Sequence, residues 1–150
     1  MHAYITADLA RHRRNRAGSR ERATVNGEAM DAAEVARIVE AFTEATNRHD
    51  VEQMLELVSD EVVFEGTTPP DGLRIEGDKS ALRTLWEDIF RDSPRAVVEN
   101  EELIVAGDRC TVRLRYVFDR DRPQDGHVRG VDVIRLGDGK ITEKLSYVKG

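Results

Sequence analysis

The sequence predicts an α+β domain with its helices first and its sheet last, and three observations carry that reading. Apolar residues recur at helical spacing through 35–45 and again through 82–90. From Ala96 to the C-terminus the spacing changes to two, the period of a strand with one buried face. Ala106-Gly107-Asp108 and Gly137-Asp138-Gly139 then supply tight turns between the predicted strands. Helices that follow this pattern cover one face of an antiparallel sheet, in the order α-α-β-α-β-β-β-β.

The first helix opens at Asp31, with Glu34 three residues on in a capping-box arrangement, and presents Val35, Ile38, Val39, Phe42 and Ala45 on one side. It ends near Asn47-Arg48-His49-Asp50. Asp50 with Gln53 makes a second cap and begins a short helix bearing Met54, Leu55 and Val58. Val62-Val63-Phe64-Glu65 has the composition of a short strand, and Gly66 to Gly72, containing Pro69-Pro70-Asp71-Gly72, reads as a loop. A third helix begins after Gly77 at Asp78, places Leu82, Leu85, Trp86, Ile89 and Phe90 on one side, and stops at Ser93-Pro94. Four strands near 96–105, 109–118, 127–136 and 140–149 complete the chain, with Asp119 to Gly126 as a longer polar loop.

A chain of 150 residues with 39% apolar and 35% charged residues suits one globular domain with a well-solvated surface. Residues 1–30 carry six arginines against Asp8, Glu21 and Glu28 and have no apolar period. They read as a disordered arm, or as residues upstream of a true start at Met30. The arm's net +3 leaves −9 of the total −6 on residues 31–150, and an acidic body repels phosphate backbones. Nucleic acid is therefore not an expected partner. Neither is a membrane, since no apolar run approaches a span or a secretory signal, and a cytoplasmic location is expected. Cys110 alone cannot form an internal disulfide, and the histidines at 2, 12, 49 and 127 have no ligand spacing with acids or that thiol. No metal, and with no glycine-rich phosphate cradle no nucleotide or other cofactor, is expected.

Asn47-Arg-His-Asp-Val51, Leu57-Val-Ser-Asp-Glu-Val-Val-Phe64 and Asp138-Gly-Lys-Ile-Thr-Glu143 together resemble the nuclear transport factor 2-like superfamily over about residues 31–150. Thr67 to Gly72, Gly126 to Asp132 and Glu143 to Lys149 look like an uncharacterised bacterial SnoaL-like subgroup of it. The resemblance implies a cone-shaped, curved sheet that encloses a small-molecule pocket with the helices, and a homodimer through the convex sheet face. It does not by itself imply one reaction, because the superfamily hosts isomerases, hydrolases, cyclases and binding modules.

Asp132 is the leading candidate for chemistry. It shares a strand phase with Val128, Gly130, Ile134 and Leu136, so a carboxylate lies on an otherwise apolar face and must find a partner or shift its pKa. It is either a working acid or base, or one half of a structural ion pair. The stretch Val131 to Leu136 also resembles that of ketosteroid isomerase, where Asp132 falls on the acid that hydrogen-bonds the oxyanion. Phe42 replaces that enzyme's tyrosine and Gly66 its base, with Glu65 one residue earlier, so steroid isomerisation is not implied. The limonene epoxide hydrolase pattern fails as well: Arg113-Leu114-Arg115 occupies the place of its Arg-x-Asp, and Ser146 that of its second aspartate.

Other candidates depend on orientation. Arg113 and Arg115 share one phase of their strand; facing inward, the two could hold Asp132 ionised or bind a substrate carboxylate, with Arg115 or Lys144 stabilising negative charge, and facing outward both are solvated or interfacial. His127, at a strand start beside the polar loop, and Glu65 are further acid–base candidates. Phe42, Phe64, Trp86, Arg113 and Lys144 are expected to line the pocket, although Phe42 and Trp86 equally suit plain core. The functional expectation is a cofactor-independent enzyme moving protons on a small apolar or polyketide-like substrate. The alternative is a non-catalytic ligand-binding or dimeric scaffold module.

Overall fold

The computed structural model describes residues 30–150, so the Arg-rich arm and the question of the true start lie outside the described residues except for Met30, which packs against the core. Helix α1 runs Ala32–Asn47, α2 Val51–Leu57 and α3 Lys79–Asp92. All three begin at an aspartate whose side chain accepts a backbone N–H: Asp31 from Ala33, Asp50 from Gln53 and Asp78 from Ala81. At Asp31 the acceptor bond therefore goes to Ala33 and not to Glu34, the partner a capping box uses.

Six strands follow from the remaining sequence: β1 Val58–Glu65, β2 Arg74–Glu76, β3 Val97–Ala106, β4 Arg109–Val117, β5 His127–Gly137 and β6 Lys140–Val148. They form one curved, unclosed sheet in the order β2-β1-β6-β5-β4-β3. Strand β1 begins four residues before the expected Val62. Exposed Asp60 and Glu61 interrupt the alternation there, and the register with β6 shifts between Val58 and Val63. Strand β2 is a further element that the sequence reading lacks, because three residues are too few to show a period. It pairs antiparallel with the end of β1, Phe64 opposite Ile75.

Every pairing is antiparallel except β1 with β6, which is parallel. The last strand thus slots between the first strand and the β3–β5 meander. Register shifts at Asn100/Glu102 in β3 and Arg135/Leu136 in β5–β6 mark bulges, which bend a sheet locally.

Helix α1 and helix α3 bury their stripes on one face of this sheet, the inner face. Val35, Ile38, Val39, Leu82 and Trp86 meet Cys110, Val112 and Leu114 of β4, Ile134 and Leu136 of β5 and Ile141 of β6. Burial pushes the Cys110 thiol pKa up, as expected for a packing residue.

The loop between β4 and β5 is tied to the α3–β3 connection by one carboxylate. Asp119 accepts from Arg95 Nε at 3.0 Å, from its own loop's Asp121 N–H at 2.9 Å and from Arg122 Nε at 3.2 Å, while Arg120 N–H donates to Arg95 O. The hydrogen bond from Arg95, followed by that from Arg122, holds the Asp119 pKa below the usual carboxylate range. A depressed carboxylate pKa adds stability in full above the unfolded value of about 3.9, and that stability disappears as pH falls through the lower folded value. Asp119→Asn is therefore expected to be less stable than the parent at neutral pH, with the gap closing below about pH 4. Thermal melts across pH check this; a gap that persists unchanged in acid counts against the clasp.

Candidate functional site

The alternation of β5 is what brings a carboxylate to the inner face. Gly130, Asp132, Ile134 and Leu136 share the phase that meets the helices, and Asp132 is flanked across the ladders by Val112 on β4 and Ser146 on β6. Lys144, two residues before Ser146 on the same phase of β6, lies diagonally across from it.

Lys144 Nζ approaches Asp132 Oδ2 at 2.9 Å, and the two side chains keep only 14% and 13% of their surface exposed. The same ammonium donates to Ser146 Oγ at 2.9 Å and stands 5.5 Å from the centre of the Phe64 ring. Phe64 is the neighbour of Lys144 in the parallel β1–β6 ladder, so its ring forms the adjacent wall. Cation and ring attract electrostatically, which further orients the ammonium. Phe64 meets Trp86 edge-on at 6.0 Å, and Trp86 meets Phe42 at 5.8 Å. The pair thus stands on an aromatic floor with its charges mutually satisfied.

The other candidates lie elsewhere. Arg113 and Arg115 take the outward alternative: they alternate with Val112 and Leu114, so they point away from Asp132. Arg115 Nε donates to Glu99 at 2.8 Å, and Arg113 lies 3.5 Å from Glu101. Arg115 is therefore not the partner of Asp132, nor does Arg113 line the inner face. Glu65 alternates with buried Phe64 and so turns to the outer face, where Arg74 pairs with it at 3.2 Å. His127 is exposed on the outward phase with Arg129 and Val131. In each case strand parity is the physical reason.

Phe42, Phe64 and Trp86 do gather beneath the pair, but they pack on one another as buried core. A cavity of about 40 Å3 opens farther along the inner face, between the ends of α1 and α3, and is lined by His49, Phe90, Val98 and Tyr116 among others. Ser146, which the sequence reading noted only as the wrong residue for an epoxide hydrolase, is brought to the ammonium. Its i, i+2 relation to Lys144 was the available signal.

An ammonium and a carboxylate held together in a low-dielectric setting can exchange a proton with a molecule laid against them, and the ammonium can support developing negative charge. Removing one member leaves the other mostly buried and unpaired. Lys144→Met is expected to cost about 3 kcal/mol of folding stability, with most of it recovered in the double variant Lys144→Met/Asp132→Leu. Denaturant titration measures both; a single variant as stable as the parent would show the pair to be energetically idle.

Residues 39–144 match the model of the SnoaL-like domain family. Among solved structures, the chain is 38% identical to an NTF2-like protein of unknown function from Mesorhizobium loti, with a TM-score of 0.66 over 79% of this chain and 93% of that one. It is 20% identical to an LEH-like epoxide hydrolase from M. tuberculosis, with a TM-score of 0.60 over 78% of this chain and 79% of the other. A candidate ketosteroid isomerase from Kribbella flavida is 14% identical, with a TM-score of 0.64 and 79% of each chain covered. The last two likenesses show the fold alone. A comparison with curated proteins found no match.

Proposed function

Because the chain belongs to the SnoaL-like domain family within the nuclear transport factor 2-like superfamily, we propose that it is a small-molecule pocket protein that works by cofactor-independent proton transfer. The reaction is of isomerase, cyclase or hydratase type on a small apolar or polyketide-like substrate. Asp132 takes or returns the proton, and Lys144 supports the negative charge that forms on the substrate oxygen. One observation carries this reading: the 2.9 Å contact between the Asp132 carboxylate and the Lys144 ammonium on an otherwise apolar inner face. Such polar groups converging on an apolar wall are the usual make-up of a small-molecule site.

Deuterium exchange tests the chemistry before the substrate is known. Incubated in D2O with a panel of enolisable β-dicarbonyl compounds, the protein is expected to speed α-proton exchange of at least one, and Asp132→Asn to lower that rate by about 10²–10⁴. Exchange that survives in the Asp132→Asn variant removes the carboxylate from the mechanism.

A second reading is supported by the filled floor. Phe42, Phe64 and Trp86 are all less than a tenth exposed, which suits a non-catalytic binding or scaffold module with Asp132 and Lys144 as a structural pair. That reading gains if no member of the panel exchanges while Asp132→Asn loses stability.

The proposal includes a homodimer formed by the outer sheet face. Val131 and Val133 on β5 face Tyr147 and Leu145 on β6, and Ile104 on β3 extends the strip; Ile104 and Tyr147 are 57% and 53% exposed. Such a strip, rimmed by the Arg–Glu pairs of β3 and β4, has the apolar centre and charged edge of an interface. Val133→Glu is expected to halve the mass in sedimentation while the circular dichroism stays the same; a parent chain that sediments as a monomer ends this part of the proposal. The cytoplasm is the proposed compartment, supported by the single cysteine, Cys110, which is buried and free of any disulfide.

A further inference from the structure

Of the lysines at 79, 140, 144 and 149, Lys140 and Lys149 are exposed, and Lys79 answers Asp60, a carboxylate 93% exposed, at 3.0 Å. Lys144 differs in both respects: it is mostly buried, and so is its carboxylate. Its neighbours in the two ladders are apolar, Ile134 on β5 and Phe64 on β1. An amine so placed meets few water molecules and one permanent acid, the setting in which lysines serve as nucleophiles.

A protonated amine cannot attack a carbon until a base removes a proton. Asp132 Oδ2, 2.9 Å from Lys144 Nζ, is at the distance for that transfer. The Ser146 hydroxyl accepts from the same nitrogen at 2.9 Å, and its side chain makes no other hydrogen bond with a described residue, so its own hydrogen remains to be donated. Asp132 Oδ1 likewise receives no hydrogen bond from a described residue, and the buried side-chain atoms left without a partner are others: Ser59 Oγ, Asn100 Oδ1 and Arg135 Nε. The site thus holds a nucleophile, a base in contact with it and a hydroxyl able to polarise a carbonyl oxygen.

We propose that Lys144 bonds covalently to small apolar aldehydes and ketones as an imine. This rests on the reading of Asp132 and Lys144 as the reacting pair, and it names the substrate class of that site. Asp132 takes one proton from the ammonium, and the freed nitrogen pair forms a bond to the carbonyl carbon while the C–O π pair moves to oxygen. A second proton passes from nitrogen to that oxygen. Asp132 then returns its proton to the new hydroxyl, which leaves as water as the nitrogen pair closes the C=N bond. Ammonium and carbonyl have become iminium and water, with no proton gained or lost and no oxidant or reductant required.

Charge favours this product. The iminium is as positive as the ammonium it replaces, so the mostly buried Asp132 keeps a cationic partner and the Phe64 ring keeps its cation. The positive nitrogen also draws electrons from the adjacent α-carbon, where Asp132, again a carboxylate, can remove a proton. The covalent bond thereby takes over the support that the ammonium first gives to the substrate oxygen.

Butanal and 2-butanone are the probes, incubated near neutral pH with the full chain and excess sodium cyanoborohydride, which reduces an iminium to a stable amine; peptide mass spectrometry locates the alkyl group. Lys144 is expected to be alkylated about 10²-fold faster than Lys140 or Lys149, the low end of what a placed base contributes. An ordinary exposed lysine reacts about ten-fold faster for each unit of pH from about 7 to about 9 as its amine fraction grows, whereas Lys144, deprotonated by its own carboxylate, is expected to hold its rate. Lys144→Arg keeps a cation beside Asp132 and removes the nucleophile, and is expected to leave the alkylation of Lys140 and Lys149 as it was. An unmodified Lys144 in a chain whose exposed lysines react, or a Lys144 rate with the pH slope of an exposed lysine, overturns the proposal. α-Proton exchange by a parent chain whose Lys144 stays unmodified removes the imine and keeps the proposed proton transfer; alkylation of Lys144 without such exchange keeps the imine and removes the proton transfer.

Discussion

Everything in this molecule depends on which parity of β4, β5 and β6 is covered by α1 and α3. The helices have one buried stripe each, Val35, Ile38, Val39 and Phe42 on the first and Leu82 and Trp86 on the third, and those stripes need apolar surface to lie on. Cys110, Val112 and Leu114 offer it on β4, and Ile134 and Leu136 on β5. Once those residues are inward, hydrogen-bonded register allows no choice for the rest. A slip of one residue would bury Arg113 and Arg115 and expose Ile134, at a cost no surface contact could offset. Asp132 is therefore carried inward by its apolar neighbours.

The sheet solves that imported charge locally. Lys144 comes from the next strand, on the same inward phase, and its long aliphatic stem lets the ammonium cross from the rank of Ile134 to the rank of Asp132. Ser146 and the Phe64 ring take up the remaining faces of the ammonium. Replacing such a pair by matched apolar groups is often neutral for stability. The pair is the feature on which the proposed proton transfer rests.

The outer face follows the opposite rule. Its arginines are answered by glutamates from the adjoining strand, Arg115 by Glu99 and Arg113 by Glu101, with Arg129 reaching Glu101 as well. These exposed pairs contribute little to stability, and they flank the apolar strip of Val131, Val133, Leu145 and Tyr147. One strand, β5, thereby serves both surfaces, with the residues of one phase in the core and those of the other on the strip. The Asp119 clasp, with the Arg120 N–H donating to Arg95 O, fixes the β4–β5 loop to the α3–β3 connection.

The sequence by itself determined the element order apart from β2, the aspartate caps at Asp31 and Asp50, the four long strands to within a residue or two, and the placement of Asp132 among apolar neighbours. Those features are local: caps, turns and periods are written in adjacent residues. It also held both orientations of Arg113 and Arg115 open, since a strand's alternation tells which residues share a face but not which face is covered. Only the tertiary structure decided that, along with the Lys144 partner, the parallel β1–β6 pairing, the three-residue β2 and the cavity beside His49. Each of these arises where segments distant in the chain meet, and no period within one segment encodes such a meeting.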